Sequence, residues 1–210
     1  MGEDVSGPKE LDAQSRVFLD AGVKVLRADG AVRLTLRRVA EAAGTSTMGI
    51  YTCFGGRTGL LEAIYRHGFG ILRAVLARSL AGVEDPLARI EAVAYGYREF
   101  ALEDPALFAL MFERPLADFD PSPGLRAEAL AATFGLLEEP TAAAITSGVL
   151  RDGDAQRTAY LLWTVMHGIV SIELTHALRS PLPGWFLDSR EVGRGVLGEG
   201  LAAVLAGLRG

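Results

Sequence analysis

The chain has 210 residues, half of them hydrophobic and 22% charged, with a net charge of −5 and a single cysteine. This composition excludes a disordered chain and an internal disulfide, and it leaves room for one large domain or two small ones. The first ten residues are polar and unlike a signal peptide, and no apolar run is long enough to span a bilayer comfortably, so we expect a cytoplasmic protein without a membrane partner.

The first predicted elements are a helix over residues 13–30 and a pair of short helices within residues 34–54. Thr35 is a plausible N-cap for the first helix of the pair, and Gly44 fits the left-handed position that ends it. The second helix runs from Ser46 to about residue 53 and turns Ile50 and Phe54 inward, and we expect it to leave these residues outside: Ser46, Thr47, Gly49 and Tyr51. Such a pair suits a second helix that enters the major groove of DNA.

Basic residues are concentrated around this helix pair. Between residues 31 and 58 the arginines Arg33, Arg37, Arg38 and Arg57 face one acid, Glu41, which is a local charge of +3. The remaining 17 basic and 25 acidic residues give −8. Because phosphate binding responds to charge within roughly 8–10 Å at ordinary salt, a basic tip on an acidic body is compatible with DNA binding.

The rest of the chain has helical periodicity and no alternating strand pattern, which predicts an all-α fold. Asp85-Pro86 and Asp104-Pro105 each place a cap before a proline at the first helical position. Pro140 is predicted to break or kink a helix, and Asp188 is predicted to open the last helix as part of a capping box. The predicted helices, with loops over 115–124, 151–154 and 180–185, are 58–82, 86–103, 106–113, 125–138, 141–150, 154–178 and 188–208.

The two long helices near the C-terminus are strongly apolar. The helix over 154–178 is apolar most of the way round, so it must be buried on more than one side. The last helix carries a stripe of Leu197, Leu201, Val204, Leu205 and Leu208. These helices can fill the core of a monomer or also leave a surface for a second copy. DNA reading favours the dimer, because a dimer reads two half-sites about 34–36 Å apart.

Residues 34–65 resemble the DNA-binding domain of the tetracycline-repressor (TetR) family, and residues 13–30 resemble its first helix. The matching residues are Val39-Ala40, Ala43-Gly44, Ile50-Tyr51, Phe54 and Leu60-Leu61. Two positions depart from the pattern, because Cys53 and Arg57 stand where the family often has His and Lys. The resemblance implies an N-terminal three-helix helix-turn-helix domain over residues 11–71, an effector-binding and dimerisation domain over 72–210, and a homodimer through the last two long helices.

The candidate DNA-binding residues have distinct chemistry. Thr35, Tyr51 and Arg57 suit phosphates, whereas Arg37 can reach a guanine edge, a contact that gives about 1–3 kcal/mol of base discrimination. The other candidates lie at the start of the second helix: Thr45, Ser46, Thr47, Met48 and Gly49. Thr45 and Ser46 can alternatively serve only as caps, and Gly49 either admits close approach to the duplex or is merely tolerated.

An effector pocket is implied more by the resemblance than by the residues. The candidate lining is Tyr97, Phe108, Met111, Phe112, Phe134, Trp163, Met166 and His167. Aromatic and methionine side chains can line a cavity of several hundred Å³, but they also fill ordinary helical cores. His167 is either a core histidine bonded to a backbone carbonyl or a ligand contact, and Arg98, Glu173 and His176 are further polar candidates. The run Trp163-x-x-x-His167-Gly168 resembles one branch of TetR-type repressors.

No catalytic or metal-binding motif groups the Cys, Ser and His residues, so we expect no catalysis, no cofactor and no metal. A helical protein–protein interaction module is the alternative, but it would not need hydroxyl and arginine side chains concentrated at one tip. We therefore predict a homodimeric repressor that binds a palindromic double-stranded DNA operator and is released by a small, largely apolar effector.

Overall fold

A computed structural model describes residues 12–179 and 189–209, and within these ranges the chain is all-α, as predicted. Its β-type pairing in those ranges is one isolated bridge between Leu150 and Arg209. No described helix combines the length and apolarity needed to cross a membrane. A short 3₁₀ turn over Ala31–Arg33 precedes the second of nine described helices, which are α1 (Ala13–Asp29), α2 (Leu36–Ala42), α3 (Thr47–Phe54), α4 (Arg57–Leu80), α5 (Pro86–Glu103), α6 (Pro105–Phe112), α7 (Pro123–Thr146), α8 (Ala155–Arg179) and α9 (Arg190–Leu208).

Helices α1, α2, α3 and the first half of α4 pack together around side chains that are fully buried, including Phe18, Val39, Ile50 and Leu60. We call residues 12–71 the head and the described residues from 72 onwards the body. The division between them falls inside α4, which continues unbroken through it. A rigid helix therefore joins the recognition end of the molecule to its interior.

The predicted caps hold the helix starts. The Thr35 hydroxyl accepts a hydrogen bond from the Arg38 backbone N–H at 3.4 Å, and Asp85 accepts one from Ala88 at 2.8 Å. Gly44 has φ +66°, the left-handed conformation that the sequence predicted for it. The last helix begins differently from the prediction: Ser189 is its N-cap, and Asp188 lies outside the described residues.

Pro140 does not end α7, so the prediction of two separate helices over 125–138 and 141–150 is wrong. One helix runs from Pro123 to Thr146 with Pro140 buried inside it. A proline in a helix interior removes one backbone hydrogen bond and costs about 3 kcal/mol. Packing of α7 against α4, α5 and α8 offsets that cost, because it buries one face of the helix along its length. Burial has overridden the local preference here.

The C-terminal helices divide their apolar residues between the core and the surface. The predicted stripe of α9 lies mostly inside the monomer, where Leu197, Leu201, Leu205 and Leu208 are buried. In contrast, Leu161 and Ile172 on α8 remain 45% and 54% exposed. The single chain therefore leaves an apolar face of α8 uncovered.

Candidate nucleic-acid interface and effector cavity

The surface of the head is built on α3 and the residues just before it. Met48 and Tyr51 are 70% and 55% exposed, which is high for side chains of this size. Thr45 and Ser46 are exposed, and Ser46 occupies the N-cap position of α3 without making a capping hydrogen bond through its hydroxyl. With half-buried Thr47, these residues present hydroxyl and apolar groups to a ligand at the first turn of a helix.

Thr52 belongs to the same exposed surface, although it is not among the predicted contact residues. It lies four residues after Met48 and is therefore on the same side of α3. Its hydroxyl donates a hydrogen bond to the Met48 carbonyl at 3.1 Å. The four-residue spacing from Met48 was the signal that could have identified it.

Gly49 points toward the interior of the head, so the prediction that it faces outward is wrong. A Cβ atom at this position would lie 2.6 Å from Cζ of Phe18 and 3.3 Å from the amide nitrogen of Gln14. The absence of a side chain lets α3 pack closely on α1. The structure thus gives Gly49 a packing role that brings the recognition helix against the first helix.

Arg57 is held by the protein itself. Its Nε donates to the Leu34 carbonyl at 3.3 Å, and its Nη1 donates to Asp118 in the segment between α6 and α7 at 2.6 Å. The side chain is 29% exposed. Because a guanidinium carries five N–H donors, the remaining ones can serve a third acceptor. Arg57 therefore connects the head to the body.

Acidic residues reduce the positive charge that the sequence predicts for the head. The exposed Arg37 pairs with Glu41 at 3.0 Å, and Arg38 pairs with Asp29. Asp29 and the body residue Asp118 both lie outside residues 31–58, the segment with the local charge of +3. When these two acids are included with Glu41, the four arginines of the segment keep a surplus of +1. Arg33, which is exposed and is not paired with any of these three acids, accounts for this surplus.

A cavity of about 840 Å³ lies in the body between α4, α5, α7 and α8. Its wall is mainly apolar and aromatic, and the polar groups are few. The apolar lining includes Leu72, Leu76, Val93, Tyr97, Phe112, Phe134, Tyr160, Trp163 and Met166. The polar lining consists of Thr133, Glu138, Asp154, Gln156 and Arg157. A concave apolar site with a few polar groups is the form that small-molecule sites take.

Two family models match this chain. Residues 18–64 match bacterial regulatory proteins of the tetR family, and residues 90–190 match the tetracyclin repressor-like C-terminal domain. Together the two matches cover more than two thirds of the chain. The chain belongs to the TetR family. It is a DNA-binding transcriptional regulator, and the resemblance found in its first third is confirmed.

Several solved structures share this fold and align with nearly the whole of this TetR-family chain. A protein of unknown function from Rhodococcus sp. RHA1 is 28% identical, with a TM-score of 0.77 and coverage of 98% of this chain and 100% of that one. A bacterial regulatory protein of the tetR family from Rhodococcus RHA1 is 15% identical, with a TM-score of 0.66 and coverage of 94% and 98%. The transcriptional regulator FadR from Bacillus subtilis, solved in complex with stearoyl-CoA, is 14% identical, with a TM-score of 0.73 and coverage of 92% and 99%. No curated protein matches the chain.

Five of the eight predicted cavity residues of this TetR-family regulator line the cavity, namely Tyr97, Phe112, Phe134, Trp163 and Met166. The other three, Phe108, Met111 and His167, lie outside the lining. Phe108 and Met111 are buried behind the wall, where the Met111 sulfur packs over Gly68 of α4. These two side chains therefore support the cavity and do not face it.

His167 supports the cavity wall through Tyr97. Its Nδ1 lies 2.8 Å from the Tyr97 hydroxyl, and its ring stacks on Trp163 with centroids 5.3 Å apart. Burial lowers the pKa of His167 below its ordinary value and raises the pKa of Tyr97, so both groups are neutral near pH 7. The backbone-carbonyl partner considered for His167 is replaced by a tyrosine hydroxyl. The pair orients two of the aromatic rings in the wall.

Arg98 and Glu173 form a buried ion pair away from the cavity. Arg98 donates to both Glu173 carboxylate oxygens, at 2.8 and 2.5 Å, and also to the Arg190 carbonyl at 2.6 Å. Both side chains are less than 9% exposed. The contact joins α5, α8 and the start of α9. Both residues have partners within the protein and are absent from the cavity lining, so the candidacy of Arg98 and Glu173 as ligand contacts has no support from their positions.

Proposed function

We propose that this regulator is a homodimeric repressor that binds a palindromic double-stranded operator and leaves it when a small, largely apolar molecule fills the cavity. The main support for this proposal is that α4 contacts both the cavity and the DNA-binding surface. This helix contributes Leu72 and Leu76 to the cavity wall, and it begins at Arg57, directly after the recognition helix α3. A change in the wall is therefore transmitted along one helix to the DNA-binding surface.

Two ion pairs add further contacts between head and body. Arg27 of α1 contacts the buried carboxylate of Asp104 through two nitrogens, each at 2.7 Å. Asp104 is also the N-cap of α6, whose last residue, Phe112, lines the cavity. Arg57 makes the second link, to Asp118. A movement of α6 or of the segment that follows it would thus reach the head through the Arg27–Asp104 and Arg57–Asp118 contacts, in addition to the continuous helix α4.

An effector acts only if it binds one arrangement of the heads better than the other. To shift a population from 1:99 to 99:1, its affinities for the two arrangements must differ by about 10⁴-fold. The cavity meets this requirement if its volume differs between the two arrangements of the heads. Because α4 lines it, a tilt of α4 that separates the two heads also changes the space available to a ligand.

The dimer surface that we propose is a pair of stripes on α8 and α9. The stripe on α8 has alternating spacings of four and three and consists of Leu161, Val165, Gly168, Ile172 and Thr175. The stripe on α9 has spacings of three and four and consists of Val192, Gly195, Glu199, Ala202 and Ala206. None of these ten residues is buried in the single chain, and one of them is charged. Such spacing is typical of helices that pack along a shared seam, and the small residues permit close approach.

Ile172→Glu is expected to make the protein monomeric. A carboxylate at this 54% exposed position on the seam would be buried against the partner without a counter-charge. Light scattering after gel filtration measures the mass, and operator affinity should fall by about 100-fold because two linked half-site contacts become one. Val149→Glu adds the same charge at an exposed apolar position outside the seam and should remain dimeric. An Ile172→Glu protein that is still dimeric would contradict the proposed interface.

The proposed DNA contacts divide into positioning and reading groups. We assign phosphate contacts to Thr35, Tyr51 and Arg57, and base contacts to Arg37 together with the start of α3: Thr45, Ser46, Thr47 and Met48. The high exposure of Arg37, Met48 and Tyr51 supports their availability to DNA in the free protein, where Arg37 pairs only with the exposed Glu41. Gly49 contributes by allowing α3 to seat on α1.

Arg37→Ala and Tyr51→Ala are expected to differ in kind. Loss of Tyr51 removes a phosphate contact and should weaken binding to operator and random DNA by the same factor. Loss of Arg37 should remove preference at one base position by about tenfold to a hundredfold and leave random DNA nearly unchanged. Fluorescence anisotropy on operator variants measures both effects, with Arg73→Ala on the exposed surface of α4 as the charge-matched control. Equal loss on every sequence for Arg37→Ala would remove Arg37 from the reading set.

Selection of bound fragments from genomic DNA, followed by a shift assay, tests the proposed function as a whole. We expect a short inverted repeat that shifts at nanomolar protein and at moderate salt. A protein that binds no fragment at low ionic strength would contradict operator binding and favour the protein–protein interaction alternative.

A further inference from the structure

One carboxylate in the cavity wall has no partner, and this inference about it rests on the proposed function. Glu138 of α7 is half-buried and lines the cavity. Among the residues that the structure describes, its carboxylate makes no hydrogen bond or ion pair, whereas the adjacent Glu139 pairs with Arg89 at 2.6 Å. A ligand that supplies a positive charge would give this carboxylate a charge-assisted hydrogen bond or ion pair that it lacks within the described protein.

Three other polar groups of the wall, on Tyr97, Thr133 and Asp154, already have hydrogen-bond partners. The Tyr97 hydroxyl is bonded to His167 at 2.8 Å, and the Thr133 hydroxyl donates to the Ala129 carbonyl at 3.2 Å. Asp154 accepts a hydrogen bond from the Arg157 backbone N–H at 2.7 Å, which caps α8. Of the two carboxylates in the described part of the lining, Asp154 therefore has a partner and Glu138 has none.

Aromatic rings supply the rest of a cation site. The rings that line the same cavity are Tyr97, Phe112, Phe134, Tyr160 and Trp163. The face of an aromatic ring carries negative charge density and attracts cations within about 6 Å of its centre, most strongly for Trp. Trp163 and Tyr160 lie together, with ring centroids 5.6 Å apart.

We propose that the effector is a lipophilic organic cation, whose charge pairs with Glu138 and whose apolar groups lie against the aromatic wall. An amine with aromatic or long aliphatic groups, or a delocalised cation of similar size, has this chemistry. The volume of about 840 Å³ accommodates a molecule of several rings.

The charges of the lining disfavour an anionic effector. Arg157 is the one cationic residue among the lining residues that the structure describes, and it is exposed. The same lining carries two carboxylates, on Glu138 and Asp154. A ligand with several phosphates, such as the stearoyl-CoA bound to the structurally similar FadR, would meet one positive charge and two negative ones. The charges of the lining therefore favour a positively charged ligand.

Tetraphenylphosphonium and tetraphenylborate test this inference, because they have nearly the same shape and opposite charge. We expect isothermal titration of the dimeric protein to give tetraphenylphosphonium about tenfold tighter binding than tetraphenylborate. Glu138→Gln keeps the shape of the side chain and should weaken phosphonium binding about tenfold while leaving borate binding unchanged or tighter. Glu91→Gln removes the same charge from the exposed surface of α5 and should change neither affinity.

A neutral probe, N-phenyl-1-naphthylamine, separates failure of this inference from failure of the proposed function. If the neutral probe binds and releases operator DNA but the charged pair binds equally, the cation assignment is overturned and the cavity stands as an effector site. A preference for borate that is lost in Arg157→Gln would overturn it in favour of an anionic effector. If none of the three probes binds, both the cation assignment and the effector cavity are overturned. Circular dichroism of Glu138→Gln should match that of the unchanged protein.

Discussion

Gly59→Ala is expected to abolish operator binding and to lower the free energy of unfolding by about 3 kcal/mol or more. A Cβ atom at Gly59, in the first turn of α4, would overlap the backbone carbonyl oxygen of Phe54, the last residue of α3. Backbone atoms cannot swing aside as a side chain can. The two helices would have to separate, and α3 would lose its orientation on the head. Urea unfolding followed by circular dichroism measures the stability, and a shift assay measures the binding.

Gly70→Ala is the matched control for this prediction. Gly70 lies on the exposed surface of the same helix, and a Cβ atom there would meet nothing within 4 Å. Alanine has a higher helix propensity than glycine by about 0.5–1 kcal/mol, so this variant should be slightly more stable and should bind DNA normally. Wild-type binding by Gly59→Ala would show that the contact of α3 with α4 is not a constraint on the recognition surface.

Arg98→Ala is expected to be the most destabilising single change in the body, at about 3–5 kcal/mol. The substitution leaves the Glu173 carboxylate buried without its counter-charge, and it also removes the hydrogen bond to the Arg190 carbonyl at the start of α9. Because α8 and α9 carry the proposed seam, we also expect weaker dimerisation. The variant should begin to dissociate into monomers at a higher protein concentration than the unchanged protein does. Urea unfolding and sedimentation at several concentrations measure these two effects.

The control is Arg66→Ala, which removes one partner of a surface contact with Glu128 at 4.0 Å, with both side chains more than half exposed. Exposed pairs contribute about 0–1 kcal/mol, so the change should be small. The double variant Arg98→Met with Glu173→Leu replaces both buried charges with apolar groups and should recover most of the lost stability. If Arg98→Ala costs no more than Arg66→Ala, the buried pair does not hold the three helices together.

The head was predictable because its signals are local. The Thr35 cap, the left-handed Gly44 and the inward Ile50 each depend on residues within one or two helical turns, and the structure shows all three. Gly49 was misjudged because its neighbour Phe18 is 31 positions away in the chain. A helical wheel identifies which residues share a face, but it does not reveal which other helix that face meets.

The cavity was only partly predictable for the same reason. Helix α6 is apolar at nearly every position, so its sequence does not indicate which side faces the cavity. Phe112 lines the cavity, while Phe108 and Met111 pack behind it. Glu138 was not singled out because a charged residue on an amphipathic helix ordinarily faces solvent. Its place in the wall depends on how α7 packs against α8.

Short-range chemistry accounts for the helices, for their caps and for the family. Backbone hydrogen bonds, capping and apolar periodicity act over a few residues, so they can be predicted from the amino-acid sequence. Packing between distant helices decided the continuity of α7 through Pro140, the buried pair of Arg98 with Glu173, and the attachment of Arg57 to Asp118. These features depend on contacts between residues far apart in the chain, whose free energies outweigh local preference only once the tertiary structure has formed.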